Sequence, residues 1–149
     1  MKITVKAKVG DKFTIRLDKF CLVDGHDDSI PYHARVIING VFVGFISNDG
    51  WGGMSDFTVN DGCIGLCREF NEYGQGYALY PEEVDGKFAT LIGNMPITIE
   101  DICDMLAYVE TCKGCDAEKL SKDNGWSEKF LTVSGGEWTL HYDRKLDKK

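Results

Sequence analysis

The dipeptide Asn39-Gly40 stands between two runs rich in β-branched and aromatic residues, Ala34 to Ile38 and Val41 to Ser47. A two-residue turn of type I′ needs positive φ at both central positions, and Asn-Gly adopts them at least cost. The segment is thereby committed to a tight hairpin, and the chain around it to an antiparallel sheet. Two further hairpins read from the same logic. Ile3, Val5, Ala7 and Val9 alternate with polar residues, and Phe13, Ile15 and Leu17 repeat the pattern beyond a Gly10-Asp11 turn. Near the other end, Phe130–Val133 and Trp138–Tyr142 flank Ser134-Gly135-Gly136-Glu137 as a closing hairpin.

Helical signals lie between. Asn60 or Asp61 is placed to cap a helix running to about Tyr73, with Gly74 past its end. Thr98-Ile99-Glu100-Asp101 resembles a capping box, after which Ile99, Ile102, Cys103, Leu106 and Val109 share one helical face as far as about Thr111. A shorter helical piece follows at 117–121, and short strands are expected at 77–80 and 87–92. Residues 24–32 read as a loop. There is no repeat, linker or low-complexity tract, so residues 1–149 are expected to form one α+β domain. Its sheet is mainly antiparallel, built from hairpins, with one or two packed helices.

Composition narrows the function classes. A chain of 149 residues with 43% hydrophobic and 28% charged residues can bury a proper core, which excludes a disordered chain. No apolar run approaches the roughly 20 residues that span a bilayer, and the start lacks a secretion signal, so a cytoplasmic protein with no membrane partner is expected. The net charge of -7 is uneven. Residues 1–19 hold six Lys/Arg against two acids, residues 20–118 hold four against seventeen, and residues 119–149 hold seven against five. Such an acidic body repels phosphate, so direct nucleic-acid binding is not expected and a basic protein partner is.

The first candidate site is the loop Asn48-Asp49-Gly50-Trp51-Gly52-Gly53. It has neither the lysine of a phosphate-binding loop nor the spacing of a dinucleotide fingerprint, and Asp49 would repel phosphate. A loop presenting Asn48, Asp49 and Trp51 suits a protein contact; alternatively Trp51 tucks into the core. The segment from Ile38-Asn39-Gly40 through Val43-Gly44 to Gly53 resembles small bacterial and phage-encoded proteins in which a hairpin precedes an SNDGxGG loop. That resemblance covers residues 34–53 and implies a hairpin-and-loop core in a mobile-element setting, with no activity attached.

The six cysteines give a second candidate. Cys63 and Cys67 in a C-x-x-x-C, with Cys112 and Cys115 in a C-x-x-C, offer four thiolates to a zinc-stabilised module. The bland alternative is reduced thiols acting as small hydrophobes, Cys103 foremost, with no cofactor. A third candidate is His26-Asp27-Asp28 with His33 and His141, which a small-ligand binder or metal-dependent hydrolase would want converged. The fourth is acidic: Glu82, Glu83, Asp85, Glu100, Asp101, Asp104, Glu110, Asp116 and Glu118 fall within 37 residues holding two lysines. Glu100, Asp104 and Glu110 are expected to share a solvent face of their helix. The favoured reading is a non-enzymatic accessory protein that binds and modulates a basic host protein, a defence or nucleic-acid-handling factor. The bets are Asn48–Gly53 and the carboxylates Glu82, Glu83, Asp85, Glu100 and Asp104. Edge strands leave a homodimer open.

Overall fold

The computed structural model describes residues 3–23, 30–50, 55–79 and 96–145. Seven strands form one sheet: β1 Thr4–Val9, β2 Phe13–Leu22, β3 Tyr32–Ile38, β4 Val41–Asn48, β5 Asp56–Val59, β6 Leu131–Ser134 and β7 Glu137–Tyr142. Three helices complete the α+β domain: α1 Ile64–Gly74, α2 Ile99–Cys112 and α3 Ala117–Asp123. The strand order is β5-β4-β3-β2-β1-β7-β6. Every pairing is antiparallel except β1 with β7, which run parallel from Thr4 opposite Glu137 to Val9 opposite Tyr142.

All three expected hairpins form. Asn39 has φ 49° and Gly40 has φ 80°, the two positive angles of the type I′ turn. The Asn39 side chain also accepts from the Thr14 amide at 2.8 Å, tying this turn to β2. The closing turn uses Gly135 and Gly136, at φ 57° and 84°. Two irregularities shape the sheet. Register shifts between Asp18 and Cys21 on β2, where Lys19 takes φ 52°. Register shifts again in the β3–β4 ladder, leaving Val43 as the extra residue of a bulge on β4.

One face of the sheet supplies Val5, Ala7, Val9, Ile15, Val36, Ile38, Ile46 and Leu140 to the core. Against it α2 lies across β1 and β2, with Ile102, Cys103 and Leu106 wholly buried. Each such aliphatic side chain contributes about 1.5–3 kcal/mol by leaving water. Thr98 caps α2 as its sequence implies, its hydroxyl accepting from the Asp101 amide at 3.2 Å. Helix α1 begins later than Asn60 or Asp61 would place it. Its first residue is Ile64, because Asn60 is committed to β4, donating through its side chain to the Phe42 carbonyl at 3.2 Å. Gly74 closes the helix from within. Of the strands expected at 77–80 and 87–92, Tyr77 and Ala78 make only isolated bridges, and 87–92 lie outside the described residues. No helix of the described residues is long and apolar enough to cross a membrane.

Tyr142 at the end of β7 is buried against Phe130, ring centroids 5.1 Å apart, and its hydroxyl has no hydrogen-bond partner among the described residues. An unsatisfied buried hydroxyl costs about 1–3 kcal/mol. Tyr142→Phe is therefore expected to raise the unfolding free energy by about 1 kcal/mol in urea titration; a clear loss would reveal a partner for that oxygen.

Candidate functional site

Three of the functional bets, Asn48, Gly50 and Asp104, converge at one end of the sheet, where β3 begins, β4 ends and β5 begins. Asn48 closes β4 and is buried, its side-chain oxygen accepting from the Gly50 amide at 2.8 Å. Its side-chain nitrogen donates to the Ser55 hydroxyl at 3.1 Å. The Ser55 hydroxyl donates in turn to Asp104 Oδ1, and the Tyr32 hydroxyl donates to the same oxygen at 2.9 Å. Asn48, Gly50 and Asp104, far apart in sequence, thus belong to one hydrogen-bonded network. Tyr32 and Ser55 join it without any sequence signal, since each reads as an ordinary residue at a strand edge.

Asp104 sits on α2 away from the apolar stripe, as expected, but it is half-buried rather than solvated. Burial raises its pKa above the ordinary 3.8; the two hydroxyl bonds pull the other way and the nearby Asp101 carboxylate adds to the rise. Burial also raises Glu100, which lies towards Cys67 on α1. The same burial pushes the Tyr32 hydroxyl far up. Glu110 corrects the expectation of a shared solvent face. Seven residues after Cys103, it falls on the face turned to the sheet, and its side chain is 8% exposed and paired with Lys113 at 2.9 Å.

Beside the network is a shallow hollow of about 280 Å³ lined by Leu79, Asp101, Asp104, Met105 and Tyr108. Asp104 Oδ2 has no hydrogen-bond partner among the described residues, whereas Asp101 Oδ2 accepts from the Thr98 hydroxyl at 2.8 Å. The arrangement is a fixed carboxylate with one oxygen spent internally and one left over. Charge is partitioned between layers around it: the three helices carry three Lys/Arg against eight Asp/Glu, and the seven strands carry five against three.

Ionisation of a buried acid has a thermodynamic signature. A folded-state pKa raised above the unfolded one gives stability that is fully present below the unfolded value and lost as pH rises through the folded value. Asp104→Asn removes this titration while keeping an acceptor for both hydroxyls. The stability of the wild type minus that of Asp104→Asn is therefore expected to fall as pH rises from 3.8 through the raised value, then to level off. Urea titrations across that window check it, and a difference that grows with pH would contradict it.

Other candidates separate in space. Cys63 and Cys67 lie at the start of α1, and Cys112 and Cys115 lie at the far end of α2. No group of three or more His, Cys, Asp or Glu among the described residues could hold a metal ion, so the four-thiol zinc site is not assembled. Cys67 is pushed up to about 11 and Cys103 well above its usual value, both by burial, which keeps these thiols neutral and unreactive near pH 7. His33 is on β3 and His141 on β7, with β2 and β1 between them, about 14 Å at ordinary strand spacing. His141 instead bonds the Thr132 hydroxyl at 2.8 Å. His26, Asp27, Asp28, Trp51, Gly52, Gly53, Glu82, Glu83 and Asp85 lie outside the described residues. Comparison with family models, curated proteins and solved structures gives no match to this chain.

Proposed function

We propose that this protein is a non-enzymatic binding module that receives a basic side chain of a partner protein at Asp104. The observation that carries this reading is the state of that carboxylate. Tyr32 and Ser55 fix Oδ1, Oδ2 is left without a hydrogen bond among the described residues, and Asp104 lines a hollow with Leu79, Met105 and Tyr108. A lysine or arginine has an apolar stem and a charged head, and the site offers a surface for each. Pre-ordering the carboxylate spares the bound state the entropy of fixing it. The acidic helical layer supports the same reading at longer range by steering a basic surface towards it.

In this proposal the partner is a host protein with a basic face, such as a nucleic-acid-handling or defence factor, and the contact is made in the cytoplasm. Asp49, Trp51, Glu82, Glu83 and Asp85 are assigned to the same interaction by sequence alone. The test is a heteronuclear NMR titration with acetyl-arginine-amide and, in parallel, with its uncharged isostere acetyl-citrulline-amide. Shifts confined to Tyr32, Ser55, Asp104, Met105 and Tyr108 with the arginine probe alone support the reading. Equal shifts with both probes, or arginine shifts spread over all the acidic helices, overturn it.

A further inference from the structure

A second cavity opens between β1 and β2, at the same strand end as the Asp104 network but farther along the sheet, and its charges do not balance. Pairing between β1 and β2 runs from Val9–Phe13 to Lys6–Arg16 and goes no further, so the two strands part beyond that point. The gap is a cleft of about 580 Å³, walled by Ile3 and Val5 on one side and Leu17 and Phe20 on the other, and reaching the last turn of α2. Seven charged side chains line it. Three carboxylates each have a cation: Glu137 with Lys6, Asp18 with Arg16 at 3.7 Å, and Glu110 with Lys113 at 2.9 Å. The fourth cation, Lys19, makes no ion pair among the described residues. It is also the residue that the β2 bulge holds at φ 52°, a conformation that side chains other than Asn, Asp and Gly seldom adopt. A bulge re-aims the residue it inserts, and here that residue is an exposed lysine without an ion pair among the described residues, on the lining of an apolar-walled cleft.

We propose that this cleft binds a small amphipathic carboxylate, with its anionic group on Lys19 and its hydrocarbon part on Ile3, Leu17 and Phe20. The volume lies within the range of small-molecule sites, and the lining follows their pattern of apolar walls with few directing polar groups. An anion adds to the cleft without displacing any of the three internal pairs. A cationic ligand would meet only carboxylates whose charge Lys6, Arg16 and Lys113 already offset, whereas an anion meets a cation with no ion pair among the described residues. Phe20 of this cleft packs 5.7 Å from the Tyr32 ring of the Asp104 network, but the anion site rests on Lys19 and not on Asp104, so it stands whether or not a basic partner docks there.

Octanoate is the probe, with octanamide as its uncharged counterpart. Lys19→Gly removes the cation at a backbone angle that glycine adopts freely, so the variant is expected to fold at least as stably as the wild type. Lys19→Arg keeps the charge. Titration by calorimetry and NMR is expected to give saturable octanoate binding below about 1 mM, with shifts at Ile3, Leu17, Phe20 and Lys19. Lys19→Gly is expected to weaken binding by about 10-fold or more, while Lys19→Arg stays within about 3-fold of the wild type. Absence of saturation, equal affinity for octanamide, or undiminished octanoate binding by a folded Lys19→Gly variant would overturn the proposal.

Discussion

Asp104→Asn is expected to abolish measurable binding of an arginine-bearing peptide while leaving the fold intact. Asparagine keeps the shape of the side chain and an oxygen for the Tyr32 and Ser55 hydroxyls, so the network on the protein side survives. What disappears is the charge opposite the guanidinium. A charge-assisted hydrogen bond is roughly twice as strong as a neutral one, and losing a pair at a partly buried position costs 2 kcal/mol or more, about 30-fold or greater in affinity. Ser55→Ala makes the complementary test. It keeps the carboxylate but removes one of the two donors that fix Oδ1, so binding should weaken by a smaller factor, about 3- to 10-fold. Charge removal at Glu69 and Glu72 on α1 should change affinity by less than either, because those exposed carboxylates act only through a screened field. A peptide affinity that follows total negative charge rather than position would sink the assignment.

The second large effect is expected at Gly44, in the middle of β4. A Cβ at that position would meet the Thr58 carbonyl oxygen of β5 at 2.2 Å and the Phe57 ring at 3.0 Å. The oxygen belongs to the backbone of a paired strand, so relief requires β5 to move away from β4. Gly44→Ala is expected to destabilise the domain by about 2–4 kcal/mol, beyond the usual cost of overpacking by one methyl. Loss of amide protection in Asp56–Val59 should accompany it in hydrogen exchange. The site should respond as well, since Ser55 directly precedes β5 and donates to Asp104. In Gly44→Ala the arginine probe should therefore bind more weakly than the stability loss alone explains. Full retention of β5 protection would show that the sheet absorbs the methyl elsewhere.

These two positions also show what a sequence can reveal. The hairpin at Asn39-Gly40 was legible because its turn needs two positive φ angles and few residues supply them. The helix at Ile99–Cys112 was legible because its apolar positions repeat at helical spacing behind a capping threonine. Strand β5 was not, since Asp56–Val59 is too short for an alternating pattern to register between a glycine-rich loop and a helix. The β1–β7 pairing was invisible for a different reason: it joins segments more than a hundred residues apart, with no local chemistry to announce it. At the site, Asn48 and Asp104 were named from the sequence, one as a loop residue and one as an acid. Their connection runs through Tyr32 and Ser55, whose roles exist only after β3, β5 and α2 have met. Glu110 was misplaced because its charge suggested solvent, while its spacing from Cys103 set it over the sheet.

The parallel pairing of Thr4–Val9 with Glu137–Tyr142 also bears on how the molecule is assembled. Strands β1 to β5 join through consecutive hairpins or short connections, so each can pair as soon as its neighbour exists. The β6–β7 hairpin can form locally, but it docks only onto β1. That step closes a loop containing almost the whole domain, and its entropic cost must be met before the contacts around Trp138 and Leu140 are gained. On the ribosome, β1 therefore keeps an open edge until residue 142 has emerged. Of the seven strands, the last in chain order completes the sheet against the first.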